Sequence, residues 1–159
     1  MVQETLDKID YKILQLLLTD GRMSFSNISK EIKLTDVAVR KRIERLFKKK
    51  IIKSISAKIN FSALGYNFTT LLLIKTSPEK TKSVIQKLNS LENISQVSLL
   101  LGDYNLSVKA HFMDMDEIKT FLNKLSSIDG IIEYKSCVVL EEIKDFISLP
   151  SKLLQRRLW

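Results

Sequence analysis

Residues 24–50 read SFSNISKEIKLTDVAVRKRIERLFKKK, two short helices around a tight connection with the second helix loaded with cations. Ser24 is placed to cap a helix whose buried stripe is Ile28 and Ile32. Leu34 and Thr35 make a turn whose hydroxyl can cap the next helix. At about 100° per residue, Val39, Ile43, Leu46 and Phe47 fall on one face of that second helix, and Ala38, Lys41, Arg42, Arg45, Lys48 and Lys49 on the other. A core stripe then holds the helix to its scaffold, while small and cationic residues face outward, where the base edges and phosphates of a DNA groove would be.

A run of Lys and Arg on a helix is ordinarily a solvated face. Here the charge is localised. Residues 36–53 carry eight Lys and Arg against Asp36 and Glu44, a net +6 out of +8 for the chain. A basic patch confined to the helix that a helix-turn-helix would present is the footprint of a DNA-binding surface.

The remaining composition bounds the architecture. The chain has 159 residues, 45% of them hydrophobic, enough for one good core or two small ones. Residues 1–53 hold 13 Lys and Arg against 7 Asp and Glu, whereas residues 66–145 hold 9 against 11. This reversal of sign divides the chain into a DNA-facing module over 1–53, a linker strand over 54–65, a second module over 66–145 and a tail over 146–159. The apolar run Leu71 to Ile74 is too short to span a bilayer, and the first ten residues, MVQETLDKID, lack an apolar signal segment, so a soluble, cytoplasmic protein with no membrane contact is expected. The single cysteine, Cys137, sits in an apolar strand and is expected to be a small core residue. One histidine, His111, and no HExxH, Walker or GxGxxG pattern mean that neither a metal site, a cofactor nor a catalytic centre is expected.

Along the chain, a first helix should run from an Asp7 cap to Thr19, burying Ile9, Ile13, Leu16 and Leu17 and ending at Asp20-Gly21. After the basic helix, ISAKINF at 55–61 alternates as a strand with one buried face, the wing of a winged helix-turn-helix. From Phe68 the order becomes strand, helix, strand, strand, helix, strand. Phe68 to Ile74 is apolar throughout, as for a strand covered on both faces. Ser77 and Pro78 open a helix burying Val84, Ile85, Leu88 and Leu91. Ile94 to Leu101 is a strand, Gly102-Asp103 a turn, and the next strand sets Leu106, Val108, Ala110 and Phe112 against Ser107, Lys109 and His111. Asp114 and Glu117 form a capping box for a helix burying Met115, Ile118, Leu122 and Leu125, and Ile131 to Leu140 is the last strand. The fold class is therefore α+β: a winged helix-turn-helix followed by a ferredoxin-like βαββαβ sandwich with both helices on one sheet face. Covering the other face with an identical sheet would make the protein a dimer.

LDKID at 6–10, ILQLLLTDGR at 13–22, LTDVAVRKRIERL at 34–46, LGY at 64–66 and GDYN at 102–105 together resemble the Lrp/AsnC, or feast/famine, transcription regulators. The resemblance runs from residue 6 to about 144. It implies a bacterial or archaeal DNA-binding regulator whose second domain dimerises, stacks into octamers and often binds an amino acid between dimers. It also implies that Thr35 to Arg45 is the recognition segment. Val37, Ala38, Lys41 and Arg45 would then read bases, with Arg40, Arg42, Lys48 and Lys49 on phosphates. The loop Gly102, Asp103, Tyr104 and Asn105, with Ser136 on the last strand, would border the effector site. Three positions depart from the family pattern. Lys33 and Lys50 stand where glycines are usual, which adds charge next to DNA but requires two turns to accept a side chain. Asn105 stands where amino-acid sensors carry an acid for the ligand's α-amino group.

The leading function is thus a sequence-specific transcription regulator bound to double-stranded DNA as a homodimer or octamer, modulated by a small molecule such as an amino acid. One alternative is an architectural DNA binder without an effector. Another is an enzyme like the siroheme decarboxylases, which resemble the same two-domain fold. That reading needs histidines and arginines around an anionic tetrapyrrole, and residues 66–145 contain no arginine. The last stretch, FISLPSKLLQRRLW, is basic and amphipathic, and Leu153, Leu154, Leu158 and Trp159 are expected to dock on a neighbouring subunit rather than to place Arg156 and Arg157 on DNA.

Overall fold

The computed structural model describes residues 6–143. It divides into two compact units with the boundary between Lys58 and Ile59, inside the expected linker. The tail from residue 146 lies outside the described residues, and so does its expected docking.

The first unit is three helices around a small core. α1 (Lys8–Thr19) is capped by Asp7, whose carboxylate accepts from the Asp10 N–H while Asp10 accepts from the Asp7 N–H, a reciprocal capping box. α2 (Phe25–Ile32) starts at Ser24, whose hydroxyl accepts from the Asn27 N–H. α3 (Asp36–Lys48) starts at Thr35, which accepts from the Ala38 N–H. Each helix therefore begins where a side-chain oxygen can satisfy an orphan donor. Ile13, Ile28, Val39, Ile43, Leu46 and Ile52 form the buried core, and each such side chain contributes about 1.5–3 kcal/mol through burial. Phe47, expected in this stripe, remains 39% exposed. It lies at the edge of the face, in the last turn before Lys48.

The expected strand at 55–61 is absent. Residues 53–60 belong to no ladder, and Ile55, Ile59 and Phe61 are exposed. The alternation is real, but a strand needs a partner to take its N–H and C=O groups, and no strand among the described residues offers one. The expected wing is an irregular segment over residues 53–60. Ile55 packs back on the first unit, its Cγ2 filling the space in which a side chain at Gly21 would stand.

The second unit is a four-stranded antiparallel sheet in the order β2-β3-β1-β4, with β1 Phe68–Thr76, β2 Ile94–Leu99, β3 Leu106–Phe112 and β4 Ile131–Val139. This is the expected ferredoxin-like order. α4 (Thr81–Asn89) and α5 (Met115–Ser126) cover one face through Val84, Leu88, Ile118, Phe121 and Leu125, packed on Leu72, Ile74, Leu106, Val108, Ala110 and Phe112. Three details differ from expectation. Ser77 and Pro78 do not open α4 directly; Pro78–Lys80 is a 3-10 turn, and Thr81 starts the helix with its hydroxyl donating to the Ser77 carbonyl. In α5 the Glu117 carboxylate accepts from the Met113 N–H rather than from the capping residue, and Met115 is exposed, its place in the core taken by Phe121.

The other sheet face is open in the single chain. β1 alternates along its length, so Leu72 and Ile74 are buried while Leu71 and Leu73 are exposed. Cys137 pairs with Leu71 across β1 and β4, and so stands on this outer face, exposed. The expectation of a core cysteine is corrected by register: β4 is an edge strand, and Cys137 points away from the helices.

Candidate DNA interface and effector loop

α3 is positioned by contacts at both ends. Ser29 on α2 donates from its hydroxyl to Asp36 Oδ1 at 2.6 Å in the first turn of α3, and the buried stripe Val39, Ile43 and Leu46 seats the rest. What remains outward is Val37, Arg40, Lys41, Lys48 and Lys49, all exposed, with Ala38 half-buried between them and Thr35 exposed at the cap. Arg40 stacks its guanidinium over Phe25 at 5.0 Å, which orders it on the surface of α2.

Two of the cations expected on this face are turned inward. Arg42 is half-buried, and its Nη1 lies 2.6 Å from Asp7 Oδ2 and 2.8 Å from Asp10 Oδ1. Arg45 Nη2 lies 2.5 Å from Asp10 Oδ2. Asp10 is wholly buried, and each of its oxygens meets one guanidinium. Burial works to raise the Asp7 carboxyl, but the Asp10 N–H and the Arg42 guanidinium outweigh it and hold Asp7 below its ordinary value. The Asp7 hydrogen bond, aided by Asp10, keeps Arg42 above its own against desolvation. Helical angle alone could not reveal this arrangement, because Arg42 and Arg45 sit at the border between the apolar stripe and the outer face. Only the approach of α1 decides which way they lean.

The two turns that flank α3 end their preceding helices with lysine in the left-handed region. Lys33 has φ 56° and ψ 48°, and Lys50 has φ 56°. The Lys33 and Leu34 N–H groups both donate to the Ser29 carbonyl, and the Lys50 and Ile51 N–H groups donate to Phe47 and Leu46. The expectation that these turns must accept a side chain is met. A Cβ in this region costs about 1–2 kcal/mol, more than the about 0.3–1 kcal/mol a cation gains at a helix C-terminus.

In the second unit, the loop 102–105 joins β2 to β3. Gly102 and Asp103 are exposed and Tyr104 and Asn105 half-buried. The Asn105 amide is used within the fold: Oδ1 accepts from the Thr76 N–H at 2.9 Å, and Nδ2 donates to Thr76 Oγ1 at 2.8 Å. It fastens the end of β1 to the start of β3. Tyr104 donates to Glu133 Oε1 at 2.6 Å, which raises its phenol above the ordinary value, and Lys135 Nζ sits 4.8 Å over its ring. The loop therefore meets β4 at Glu133 and Lys135, two residues the sequence reading missed. Ser136 lies opposite Leu72, on the side of the sheet that carries the helices. Glu133 and Lys135 alternate with Tyr134 on β4, but nothing in the linear pattern tells which loop they meet. A surface groove of about 630 Å³ lined by Asn93, Asp114, Glu117 and Thr120 includes none of the expected effector residues.

Comparison with known proteins assigns both units. The model of the AsnC-type helix-turn-helix domain matches residues 6–46, and that of the Lrp/AsnC ligand binding domain matches residues 69–149. The HTH-type transcriptional regulator FL11 of Pyrococcus furiosus is 35% identical over 147 residues, which cover 92% of this chain and 97% of that protein. The HTH-type transcriptional regulator LrpA of Pyrococcus horikoshii is 32% identical over 140 residues, covering 87% and 99%. Among solved structures, a transcriptional regulator of Neisseria meningitidis in complex with L-Met superposes with a TM-score of 0.86 at 25% identity, covering 92% of this chain and 97% of that one. AsnC of E. coli gives 0.83 at 22%, covering 92% and 99%, and shows the same fold.

Proposed function

The chain belongs to the Lrp/AsnC family of helix-turn-helix transcription regulators, and from that premise we propose that it acts in the cytoplasm, as a dimer or higher oligomer, by laying α3 in the major groove of DNA. The observation that carries this reading is the localisation of exposed cations on α3, whose opposite face is the core of the first unit. Val37, Ala38 and Lys41 face the bases, and Arg40, Lys48 and Lys49 the phosphates, with Thr35 at the helix N-terminus. Arg42 and Arg45, expected to share this work, instead brace α3 against α1 through Asp10. Arg45 is 44% exposed in its side chain, so its remaining N–H groups stay open to a phosphate.

Dimerisation uses the outer sheet face. Leu71, Leu73, Cys137 and Val139 form an apolar strip there, of the kind that soluble monomers do not leave uncovered. The effector is a small molecule at the loop 102–105, where Gly102, Asp103 and Tyr104 stand next to Glu133 and Lys135; the Neisseria relative solved with L-Met supports an amino acid as the class to test first. Because the Asn105 amide is engaged by Thr76, recognition of an amino group falls to the neighbouring carboxylates instead.

The test is selection of duplexes from a random pool by the full chain, followed by footprinting. Two protected half-sites spaced by about one helical turn or a multiple of it support the reading. Uniform protection without preferred sequence would favour an architectural binder. Repeating the footprint with each free amino acid tests the effector.

A further inference from the structure

Lys33 and Lys50 are the only residues other than glycine with positive φ among the described residues. Both close a helix, both are exposed, and both are lysine. Neither is paired with a carboxylate among the described residues, so the fold uses the two charges only through their place at a helix end. By stability alone each position favours glycine, since the strain of the left-handed backbone exceeds what the cation gains at the helix end. A strained residue that persists against that preference points to a role outside the fold.

Their placement supplies the role. Lys33 stands two residues before the Thr35 cap of α3 and Lys50 two residues after its last residue, Lys48, so they flank the two ends of a 13-residue helix. At 1.5 Å per residue those ends are about 20 Å apart. The exposed cations Arg40, Lys41 and Lys48 lie between them. We propose that Lys33 and Lys50 are phosphate contacts, one at each end of α3, which fix the helix in the groove by holding the DNA backbone on both sides of it. This inference rests on the reading of α3 as the DNA-facing helix. The left-handed turn is what carries each lysine at the helix end, outside the reach of the helix's own stripe of cations.

The experiment compares the full chain with Lys33→Gly, Lys50→Gly, the double variant, and Lys33→Arg with Lys50→Arg. The probe is a duplex that the unaltered chain enriches from a random pool. Readouts are the thermal midpoint and the slope of log affinity against log salt. Each glycine is expected to leave the midpoint unchanged or raise it by a few degrees. Each is also expected to lower the salt slope by about 0.9 and the affinity at physiological salt by roughly five-fold. The arginine pair should retain the slope. If the unaltered chain binds no duplex, the reading of α3 fails, and this inference with it. If the unaltered chain binds with a steep slope and the double glycine variant keeps that slope, the DNA reading stands and the two phosphate contacts are refuted.

Discussion

Asp10 Oδ2 and Arg45 Nη2 lie 2.5 Å apart although 35 residues separate them in the chain, and Asp10 Oδ1 meets Arg42 Nη1 at 2.8 Å. One buried carboxylate on α1 thus holds two guanidinium groups of the DNA-facing helix. Its removal unties Arg45 from α1 and leaves Arg42 held by Asp7 at the α1 cap alone. Both arginines are partly exposed, at 24% and 44% of the side chain, and water screens the pairs accordingly. Asp10→Ala is therefore expected to lower the unfolding free energy by about 1–3 kcal/mol, read by urea denaturation. Lys41→Ala, one residue from Arg42, should stay within about 0.5 kcal/mol of the parent.

The same cluster sets an acid limit. Asp7 is held below the ordinary carboxyl value of 3.8. A carboxyl lowered on folding contributes stability that is complete above the ordinary value and is lost as pH falls through the lowered one. Unfolding measured across the acid range should show Asp7→Asn losing this dependence while the parent retains it. Identical acid profiles would show that Arg42 does not stabilise the Asp7 carboxylate.

His111 gives the second unit a pH dependence of its own. Its ring is stacked on Phe61 at 4.1 Å, with Nδ1 3.0 Å from Thr69 Oγ1 and Nε2 2.9 Å from Ser95 Oγ. Burial, aided by the Lys109 charge and opposed by Glu142, holds the imidazole below its ordinary 6.5. Because the folded state resists the proton, stability is complete above 6.5 and falls as pH drops from there through the lowered value. His111→Gln should flatten the curve in that window when thermal midpoints are taken at successive pH values.

The outer face supports a direct test of assembly. Leu71 is 48% exposed in the single chain and lies at the centre of the sheet, between β3 and β4. Leu71→Glu places a charge on the strip without touching the helix-covered core. Sedimentation should then report a shift from dimer to monomer with an unchanged circular dichroism spectrum. A dimer that survives the substitution would place the interface elsewhere.

Gly130 has φ 103°, and a Cβ there would stand 2.6 Å from Lys80 Cβ. The Lys80–Asp129 ion pair brings the two segments of the chain together at this point. Gly130→Ala combines left-handed strain with a clash and is expected to cost about 1–3 kcal/mol, measurable as a lowered denaturation midpoint.

Much of the architecture was legible because it is written in local chemistry. Asp7, Ser24, Thr35 and Asp114 cap their helices as their side-chain oxygens require. The period of two in β3 buried Leu106, Val108, Ala110 and Phe112 as expected. Lys33 and Lys50 turned out to be left-handed, as the requirement for a turn at those positions implied. Two of the errors share one cause, a neighbour distant in sequence. ISAKINF has the alternation of a strand but no partner strand among the described residues. Cys137 sits in an apolar run, yet its register with Leu71 turns it outward.

The linear order of residues by itself determined the two modules, the capped helices, the βαββαβ succession and the concentration of positive charge on one helix. These follow from hydrophobic period, caps and turns, whose interactions span a few residues. Only the tertiary structure decided that Arg42 and Arg45 brace α3 against Asp10 while Lys41 stays free to face outward. It likewise decided that Asn105 is spent on Thr76, and that Tyr104 meets Glu133 and Lys135 rather than Ser136. The reason is physical: a long polar side chain at the edge of a helix or loop has partners of similar energy on either side, and the choice belongs to whichever element packs nearest.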